Sequence, residues 1–174
     1  QTTRILFNTI EAPGTTSSLT FFRTFQGLTN GQTNLTQNRL DSAESMIIKT
    51  IWLAQFDTSG TLVPFGAFVQ QTVSIIVGNQ TVVKNLPIHF NQGFNGQAFD
   101  RLYANAGANT ITSADAGTGI VMQPCEIRLL TDIVIPPQVS FEVRVESPRN
   151  YPSNRAFVCA LNGYGKIFSA GASF

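Results

Sequence analysis

Charged residues are scarce in this sequence, and their scarcity argues against several classes of protein. Only 21 of the 174 residues are Lys, Arg, Asp or Glu, which is about half the share in an average globular domain. The net charge is +1, and Lys and Arg form no run that would bind the phosphates of a nucleic acid. No apolar run approaches the roughly 18 residues of a membrane-spanning helix. We therefore predict neither direct nucleic-acid binding nor a transmembrane helix.

Residues that carry acid–base or metal chemistry are equally few. The chain has one histidine, His89, and two cysteines, Cys125 and Cys159. A zinc site would need further Cys or His ligands at short spacing, and Asp115 has no second acidic residue nearby to help it bind calcium. The motifs of α/β-hydrolases, zinc proteases and phosphate-binding loops are absent. The sequence predicts no catalytic residue, no metal site and no cofactor.

The histidine and the cysteines are interpreted as structural residues. His89 lies in LPIHF, where a lone histidine at a strand end is typical of a hydrogen-bonded structural position. The cysteines lie in apolar, strand-like runs, CEIRLL and AFVCAL, which favours buried free thiols. A disulfide between Cys125 and Cys159 stays open at this stage.

Paired carboxylates are the remaining route to catalysis, because a β-sandwich glycosidase needs two of them about 5 to 10 Å apart in one cleft. Glu142 and Glu146 share a strand face with Arg144 between them, and Glu126 neighbours Arg128 in the same way. Alternating charges on one face predict a ladder of ion pairs rather than an acid with a raised pKa. A small hydrolase using Glu142 or Glu126 is therefore the third hypothesis, and a non-enzymatic protein is preferred.

Neutral polar residues are what the chain has instead of charges. Asn and Gln total 25 and outnumber the charged residues. Burying an amide requires only hydrogen bonds, whereas burying an unpaired charge costs several kcal/mol. The surface is thus suited to extensive contact with other subunits, although a secreted domain would explain the same composition. The sequons at Asn34 and Asn79 would matter only in a eukaryotic secretory setting.

Strand signals dominate the chain, as short runs of Val, Ile, Thr and Phe separated by Gly, Pro and Asn clusters. In the third run Met46, Ile48 and Trp52 are expected on one face and Ile51 and Leu53 on the other, so both faces need cover. The predicted strands are 4–10, 19–25, 45–56, 67–77, 80–90, 125–135, 139–146 and 156–161, with a further one at 166–169.

Local signals add a turn and one short helix. Gly78-Asn79 predicts a two-residue hairpin turn. A helix over residues 40–48 is an alternative to the start of the third strand, since Asp41 and Glu44 resemble a capping box, but the β-branched run after Met46 favours the strand. One short helix is predicted near residues 97–105 from apolar residues at helical spacing, followed by an exposed loop at 104–119.

No change in composition divides the chain, so residues 1–174 are predicted to form one domain. The fold class is all-β, and long loops between strand groups favour a single jelly roll, an eight-stranded antiparallel β-sandwich with one short helix. An immunoglobulin-like sandwich is the alternative, but its order of Cys, Trp and Cys is absent because Trp52 precedes both cysteines.

Residues 129–148, LLTDIVIPPQVSFEVRVESP, resemble the penultimate strand pair of viral jelly rolls, in which a strand ends at a Pro-Pro turn and the next alternates apolar with charged residues. Chain length, neutral surface and lack of a basic arm are similar to the small single jelly-roll major capsid proteins of tailless icosahedral phages with an internal membrane, such as those of Thermus. In that family two jelly-roll coat proteins stand upright over a lipid vesicle, and small-subunit dimers are part of the architecture.

The resemblance implies a capsid subunit located in the virion. Its expected partners are further copies of itself, a second capsid protein and an underlying viral membrane, with no direct contact to nucleic acid. We expect the terminal segments, residues 1–11 and 166–174, to be exchangeable between subunits. The alternative is a carbohydrate- or receptor-binding module, lectin-like or the tip of a phage fibre, with Trp52 or Tyr103 in a concave site.

Overall fold

The computed structural model of the protein describes residues 2–25, 27–56, 60, 62–63, 71–88, 125–153 and 155–167. Almost all regular structure in these ranges is β-strand, which confirms the all-β prediction. The strands are β1 (Thr2–Glu11), β2 (Ser18–Phe21), β3 (Glu44–Phe56), β4 (Leu62–Val63), β5 (Thr72–Val77), β6 (Gln80–Pro87), β7 (Cys125–Ile135), β8 (Phe141–Glu146) and β9 (Ala156–Ile167).

The strands form two antiparallel sheets, consistent with a β-sandwich. Sheet A has the order β1-β9-β3-β7, with the two-residue strand β4 paired to the last residues of β3. Sheet B has the order β2-β8-β5-β6. Four of the antiparallel pairs are nested in the sequence, because β1 pairs with β9, β2 with β8, β3 with β7 and β5 with β6.

One hydrophobic core contains residues from both sheets. Alternate residues of each strand point into it, as the pleat of a strand requires. Aromatic rings pack within the core, with Phe22 against Phe141 at 5.3 Å between ring centroids and Tyr151 edge-on to Phe157 at 5.0 Å. The largest fully buried side chains besides these four are Phe21, Leu6, Leu19, Leu40, Met46, Ile48, Ile51, Leu53 and Ile75.

Several local predictions are confirmed. β1, β3 and β7 fall where the apolar runs place them, and β7 has the predicted bounds. The strands β5 and β6 form the predicted hairpin, with Val77 paired to Gln80 across Gly78 and Asn79. Gly78 has a φ of +60°, the positive value that the first position of a type II′ turn requires.

Other local predictions are wrong for reasons that the structure makes visible. The second strand ends at Phe21 rather than residue 25, because Phe22 turns the backbone with a φ of +62°. By contrast, the preferred strand at the start of the third run is confirmed over the alternative helix at 40–48, since residues 44–48 pair with β9 and residues 46–48 also pair with β7. The runs 156–161 and 166–169 are not separate strands, because β9 continues without a break through Ile167.

A β-bulge at Lys49 alters the predicted faces of β3. Ile48 pairs with Gly163 and Thr50 with Asn162, so Lys49 is an extra residue on β3. Because one inserted residue reverses the alternation of side chains, Met46, Ile48, Ile51 and Leu53 all point into the core, while Trp52 points outward. The expected grouping of Trp52 with Met46 is therefore wrong.

The predicted helix near residues 97–105 and the loop at 104–119 lie outside the described residues. Within the described ranges no helix is long and apolar enough to cross a membrane.

Candidate interaction surface

The two sheets present different outer faces. On sheet B the outward residues are mainly polar, because Thr20, Arg144 and Ser74 lie in one cross-strand row and Glu142 and Ile76 lie in the next. Glu142 and Arg144 form an ion pair at 2.9 Å. A polar outer face over an apolar inner face is the usual pattern of a sheet with one side in water.

Sheet A departs from this pattern, because about half of its outward residues are apolar. We call this surface the apolar face of sheet A. The register places on it Ile5 and Phe7 of β1, Val158, Ala160 and Tyr164 of β9, Ile47, Trp52, Ala54 and Phe56 of β3, and Val134 of β7. Three of these side chains are substantially exposed, Ile5 at 42%, Tyr164 at 47% and Val134 at 53%.

The centre of the apolar face is a row of three side chains across three strands. Phe7 of β1 and Trp52 of β3 both pair with Ala160 of β9. The small alanine leaves room for an aromatic side chain on each side, and Trp52 is the single tryptophan of the chain. The indole nitrogen of Trp52 is buried and has no hydrogen-bond partner, so this row is packed as an apolar layer.

Four charged residues of this face form two ion pairs, and the register also places Glu11 of β1 and Lys166 of β9 on it. Lys49 of the β3 bulge contacts Asp132 of β7, and Arg128 contacts Glu126 at 3.3 Å on β7. All four side chains are partly exposed, so each pair contributes little to stability. Because two of these side chains are cations and two are anions, the four together add no net charge to the face.

The free edge of β1 is covered by a loop of the same chain. The backbone N–H of Thr9 donates to the carbonyl oxygen of Gln32 at 2.8 Å, and that of Phe7 donates to Asn34 Oδ1 at 2.9 Å. The side-chain amide of Asn34 donates in turn to the carbonyl oxygen of Ile5 at 2.6 Å. This edge is therefore not open to the strand of another subunit.

The position of β1 also bears on the expected exchange of residues 1–11. All ten residues of β1 pair with β9 of the same chain, and Leu6 is buried in the core. The structure thus places this segment as an integral strand of sheet A, so deleting it would remove part of the fold. The tail beyond residue 167 lies outside the described residues.

The remaining sheet edges carry irregularities that disfavour strand addition. β6 pairs with β5 through two register shifts, and its Asn85 has a φ of +50°. Between two consecutive paired positions, Thr50 with Arg128 and Ile48 with Ile133, β7 contains more residues than β3. The extra residues of β7 form a bulge at this edge. β2 has only four residues. Contacts between side chains on faces are thus favoured over backbone pairing at edges.

The carboxylates considered for catalysis do not share a cleft. Glu142 lies on the outer face of sheet B with Arg144, and Glu126 lies on the outer face of sheet A with Arg128. The predicted ion pairs are confirmed on both strands. Glu142 and Glu126 lie on opposite sides of the sandwich, so they cannot serve each other as the second carboxylate that the hydrolase hypothesis requires.

Of the aromatic residues predicted for a binding site, only Trp52 is described, and it lies on the apolar face of sheet A. Tyr103, His89 and Asp115 lie outside the described residues. In the described part of the chain, no group of three or more His, Cys, Asp or Glu residues is placed to hold a metal ion.

The sheet register separates the two cysteines. Leu53 of β3 pairs with Cys125 of β7 on one side and with Cys159 of β9 on the other. Their Cα atoms are therefore two strand spacings apart, about 10 Å, which is beyond the roughly 7 Å limit for a disulfide. Cys159 is a buried free thiol, and burial raises its pKa well above the ordinary value.

The buried thiol predicts a loss of stability at alkaline pH. Because the pKa of Cys159 is higher in the folded than in the unfolded state, its contribution is complete below the unfolded pKa of about 8.5 and is lost as pH rises above it, by up to about 1.4 kcal/mol per pH unit. Urea unfolding at pH 8 and pH 10 should show a larger loss for the native chain than for Cys159→Ala. Equal losses in both proteins would contradict this prediction.

Sequence reasoning found part of the apolar face and missed its extent. The apolar residues on both faces of residues 45–56 were the signal that this strand needed cover on two sides. The contribution of Ile5, Phe7 and Tyr164 depends on which strands are neighbours, which the local sequence does not specify. Comparison of the chain with protein-family models, with curated proteins and with solved structures returned no match.

Proposed function

We propose that this protein is a non-enzymatic capsid subunit built on a single jelly roll. The observation that carries the proposal is the nested strand pairing, β1 with β9, β2 with β8, β3 with β7 and β5 with β6. A jelly roll is a long antiparallel hairpin rolled into two four-stranded sheets, and the orders β1-β9-β3-β7 and β2-β8-β5-β6 fit that description. Its eight strands would then be all but the two-residue β4.

The surface supports assembly among the functions that jelly rolls perform. Viral coats, lectins and cupins share this architecture, so the fold alone does not choose between them. A cupin metal site commonly uses several histidines, and the chain has one. The apolar face of sheet A is better suited to contact with protein than with water, and the scarcity of charges lowers the cost of burying the rest of the surface.

The partners follow from the same proposal. The subunit associates with copies of itself and with a second capsid protein, and the shell lies over a viral membrane in the virion. The resemblance of residues 129–148 to viral jelly rolls supports this setting. A membrane between shell and genome would also account for the small net charge of +1, because such a subunit does not need to neutralise nucleic acid.

The alternative function is a carbohydrate- or receptor-binding module. Trp52 gives it some support, because aromatic rings are common platforms for sugars. However, Trp52 packs in a row with Phe7 and Ala160, whereas a sugar platform requires an exposed ring. Loss of glycan-array binding on Trp52→Ala would favour this module over a coat subunit.

The proposal is tested by light scattering coupled to size-exclusion chromatography over a range of protein and salt concentrations. We expect defined oligomers that persist at 1 M salt, because apolar and neutral contacts are not screened as ion pairs are. Electron microscopy of concentrated samples, alone and with the other coat proteins of the same virus, should show ordered sheets or shells. A monomer that forms no assembly under any of these conditions, and that binds a glycan, would refute the coat function.

A further inference from the structure

We propose that Asn30 is a site of spontaneous deamidation, and that the isoaspartate formed there loosens the loop that covers the free edge of β1. The chain has three Asn-Gly pairs, at residues 30–31, 95–96 and 162–163. An Asn-Gly pair is well suited to this reaction, because glycine has no Cβ to hinder approach to its backbone nitrogen. The inference is independent of the proposed function, since it concerns the chemistry of one exposed turn.

The reaction needs only the chain and water. The backbone nitrogen of Gly31 attacks Cγ of the Asn30 side chain, and a succinimide ring closes. The side-chain amide group leaves as ammonia and takes with it the proton of the Gly31 N–H. Water then opens the ring at either carbonyl carbon, which gives aspartate or isoaspartate, and in isoaspartate the main chain runs through the former side chain. Each product has a new carboxylate, so the net charge falls from +1 to zero.

The structure leaves both reacting groups of this pair accessible. Asn30 and Gly31 are exposed and lie in the turn from Thr29 to Gln32. Within the described part of the chain, neither the Asn30 side chain nor the Gly31 N–H has a hydrogen-bond partner. A Cβ added to Gly31 would meet only Thr29 Oγ1, at 3.9 Å. Because there is open space around the pair, the turn can rearrange and bring the two reacting atoms together at the low cost of a local opening.

Asn162-Gly163 is the same dipeptide in a protected position. It lies within β9, where Asn162 pairs with Ile5 of β1 on one side and with Thr50 of β3 on the other. Gly163 is likewise paired with both neighbouring strands. The reaction would have to break sheet A near its centre, and opening a core strand costs much of the free energy of unfolding. The fold therefore exposes one Asn-Gly pair and protects the other.

Isoaspartate would alter the turn because it adds one carbon atom to the main chain. The N–H groups of Gln32 and Thr33 both donate to the carbonyl oxygen of Thr29, at 2.9 and 3.1 Å, and the lengthened segment lies inside both of these hydrogen-bonded rings. The carbonyl oxygen of Gln32 in turn accepts the N–H of Thr9 in β1 at 2.8 Å. A turn that loses its own hydrogen bonds releases this contact and opens the edge of β1 to water.

The test is incubation of the folded chain in mildly alkaline buffer, followed by trypsin digestion and mass spectrometry. The three Asn-Gly pairs fall in separate tryptic peptides, residues 24–39, 85–101 and 156–166; the pair at 95–96 lies outside the described residues and is read on its own peptide. We expect Asn30 to convert at least about 100-fold faster than Asn162, whose reaction requires the sheet to open. In denaturing urea the two should convert at comparable rates, because only the fold distinguishes them.

Two variants separate the chemistry from its structural effect. Gly31→Ala should slow the conversion of Asn30 about tenfold or more, because a Cβ hinders the attacking nitrogen. Asn30→Asp introduces the charge without lengthening the main chain, so amide hydrogen exchange at Thr9 should stay close to the native rate. Aged protein, separated by ion exchange and shown to contain isoaspartate by labelling with isoaspartyl methyltransferase, should exchange at Thr9 about tenfold faster or more.

Each outcome bears on one part of the inference. No conversion at Asn30, or equal conversion of Asn30 and Asn162 in the folded chain, would overturn the site. Slow conversion of Asn162 in urea as well would show that the fold is not what protects it. Isoaspartate at Asn30 with unchanged exchange at Thr9 would overturn the effect on the loop, and so would an equal acceleration in Asn30→Asp, which would assign the effect to charge.

Discussion

Gly163→Ala is expected to lower the free energy of unfolding by about 3 kcal/mol or more, the upper range for overpacking in a core. A Cβ at this position would lie on the carbonyl oxygen of Ile47 and 2.9 Å from its carbonyl carbon. The bulge at Lys49 lies next to this pairing, because Ile48 pairs with Gly163. The contact is with backbone of the central strand β3, so no side-chain rotation relieves it.

Gly31→Ala is the matched control for this prediction. Gly31 lies in an exposed loop, and an added Cβ would meet only Thr29 Oγ1 at 3.9 Å. Replacing glycine where the backbone accepts alanine changes stability by less than about 1 kcal/mol, often favourably, because the unfolded chain loses freedom. Urea unfolding of both variants gives the comparison, and a Gly163→Ala midpoint equal to that of Gly31→Ala would contradict the close approach of β3 and β9.

Asn8→Ala is expected to cost about 2 to 3 kcal/mol. Asn8 points into the sandwich, and its Oδ1 accepts a hydrogen bond from the backbone N–H of Phe22 at 2.9 Å. Both residues are buried, so water does not replace the lost partner, and an unsatisfied buried N–H costs about 1 to 3 kcal/mol. Phe22 also has a φ of +62°, a strained value for a bulky residue that this bond helps to hold.

Asn34→Ala is the control for this prediction, because it tests whether the loss of stability follows from the burial of a hydrogen bond or from the number of bonds removed. Asn34 makes two bonds to the backbone of β1 against the one of Asn8, but it is exposed, so water can take its place and the loss should be below about 1 kcal/mol. Amide hydrogen exchange at Phe22 should accelerate in Asn8→Ala and stay slow in Asn34→Ala. A larger loss of stability in Asn34→Ala would contradict the importance of the buried bond.

The two outer faces of the sandwich differ in composition. The outer face of sheet B carries the Glu142–Arg144 pair among hydroxyl-bearing residues, and the outer face of sheet A carries a larger share of apolar side chains together with the Lys49–Asp132 and Arg128–Glu126 pairs. The difference between the faces lies in exposed residues, so a substitution such as Val134→Lys should leave the core undisturbed.

Local signals in the sequence determined the strands and the hairpin. Alternating apolar residues and β-branched runs predict strands, because apolar residues repeat every 2 residues in a half-buried strand and every 3.6 residues in an amphipathic helix. This difference can be read within a few neighbouring residues. Gly78-Asn79 specified the β5–β6 turn, since glycine adopts a positive φ without steric cost. The ion pairs of Glu126 and Glu142 were likewise foreseeable, as each partner lies two residues away on the same strand.

The tertiary structure alone decided which strands are neighbours and which residues face outward. The bulge at Lys49 reverses the alternation in β3, and it depends on how β9 and β7 pair with that strand, not on residues near it in sequence. The same pairing separates Cys125 from Cys159, because Leu53 of β3 lies between them in the sheet. The apolar face joins β1, β9, β3 and β7, which are distant in the chain, so long-range pairing was needed to bring Ile5, Trp52 and Val134 onto one surface.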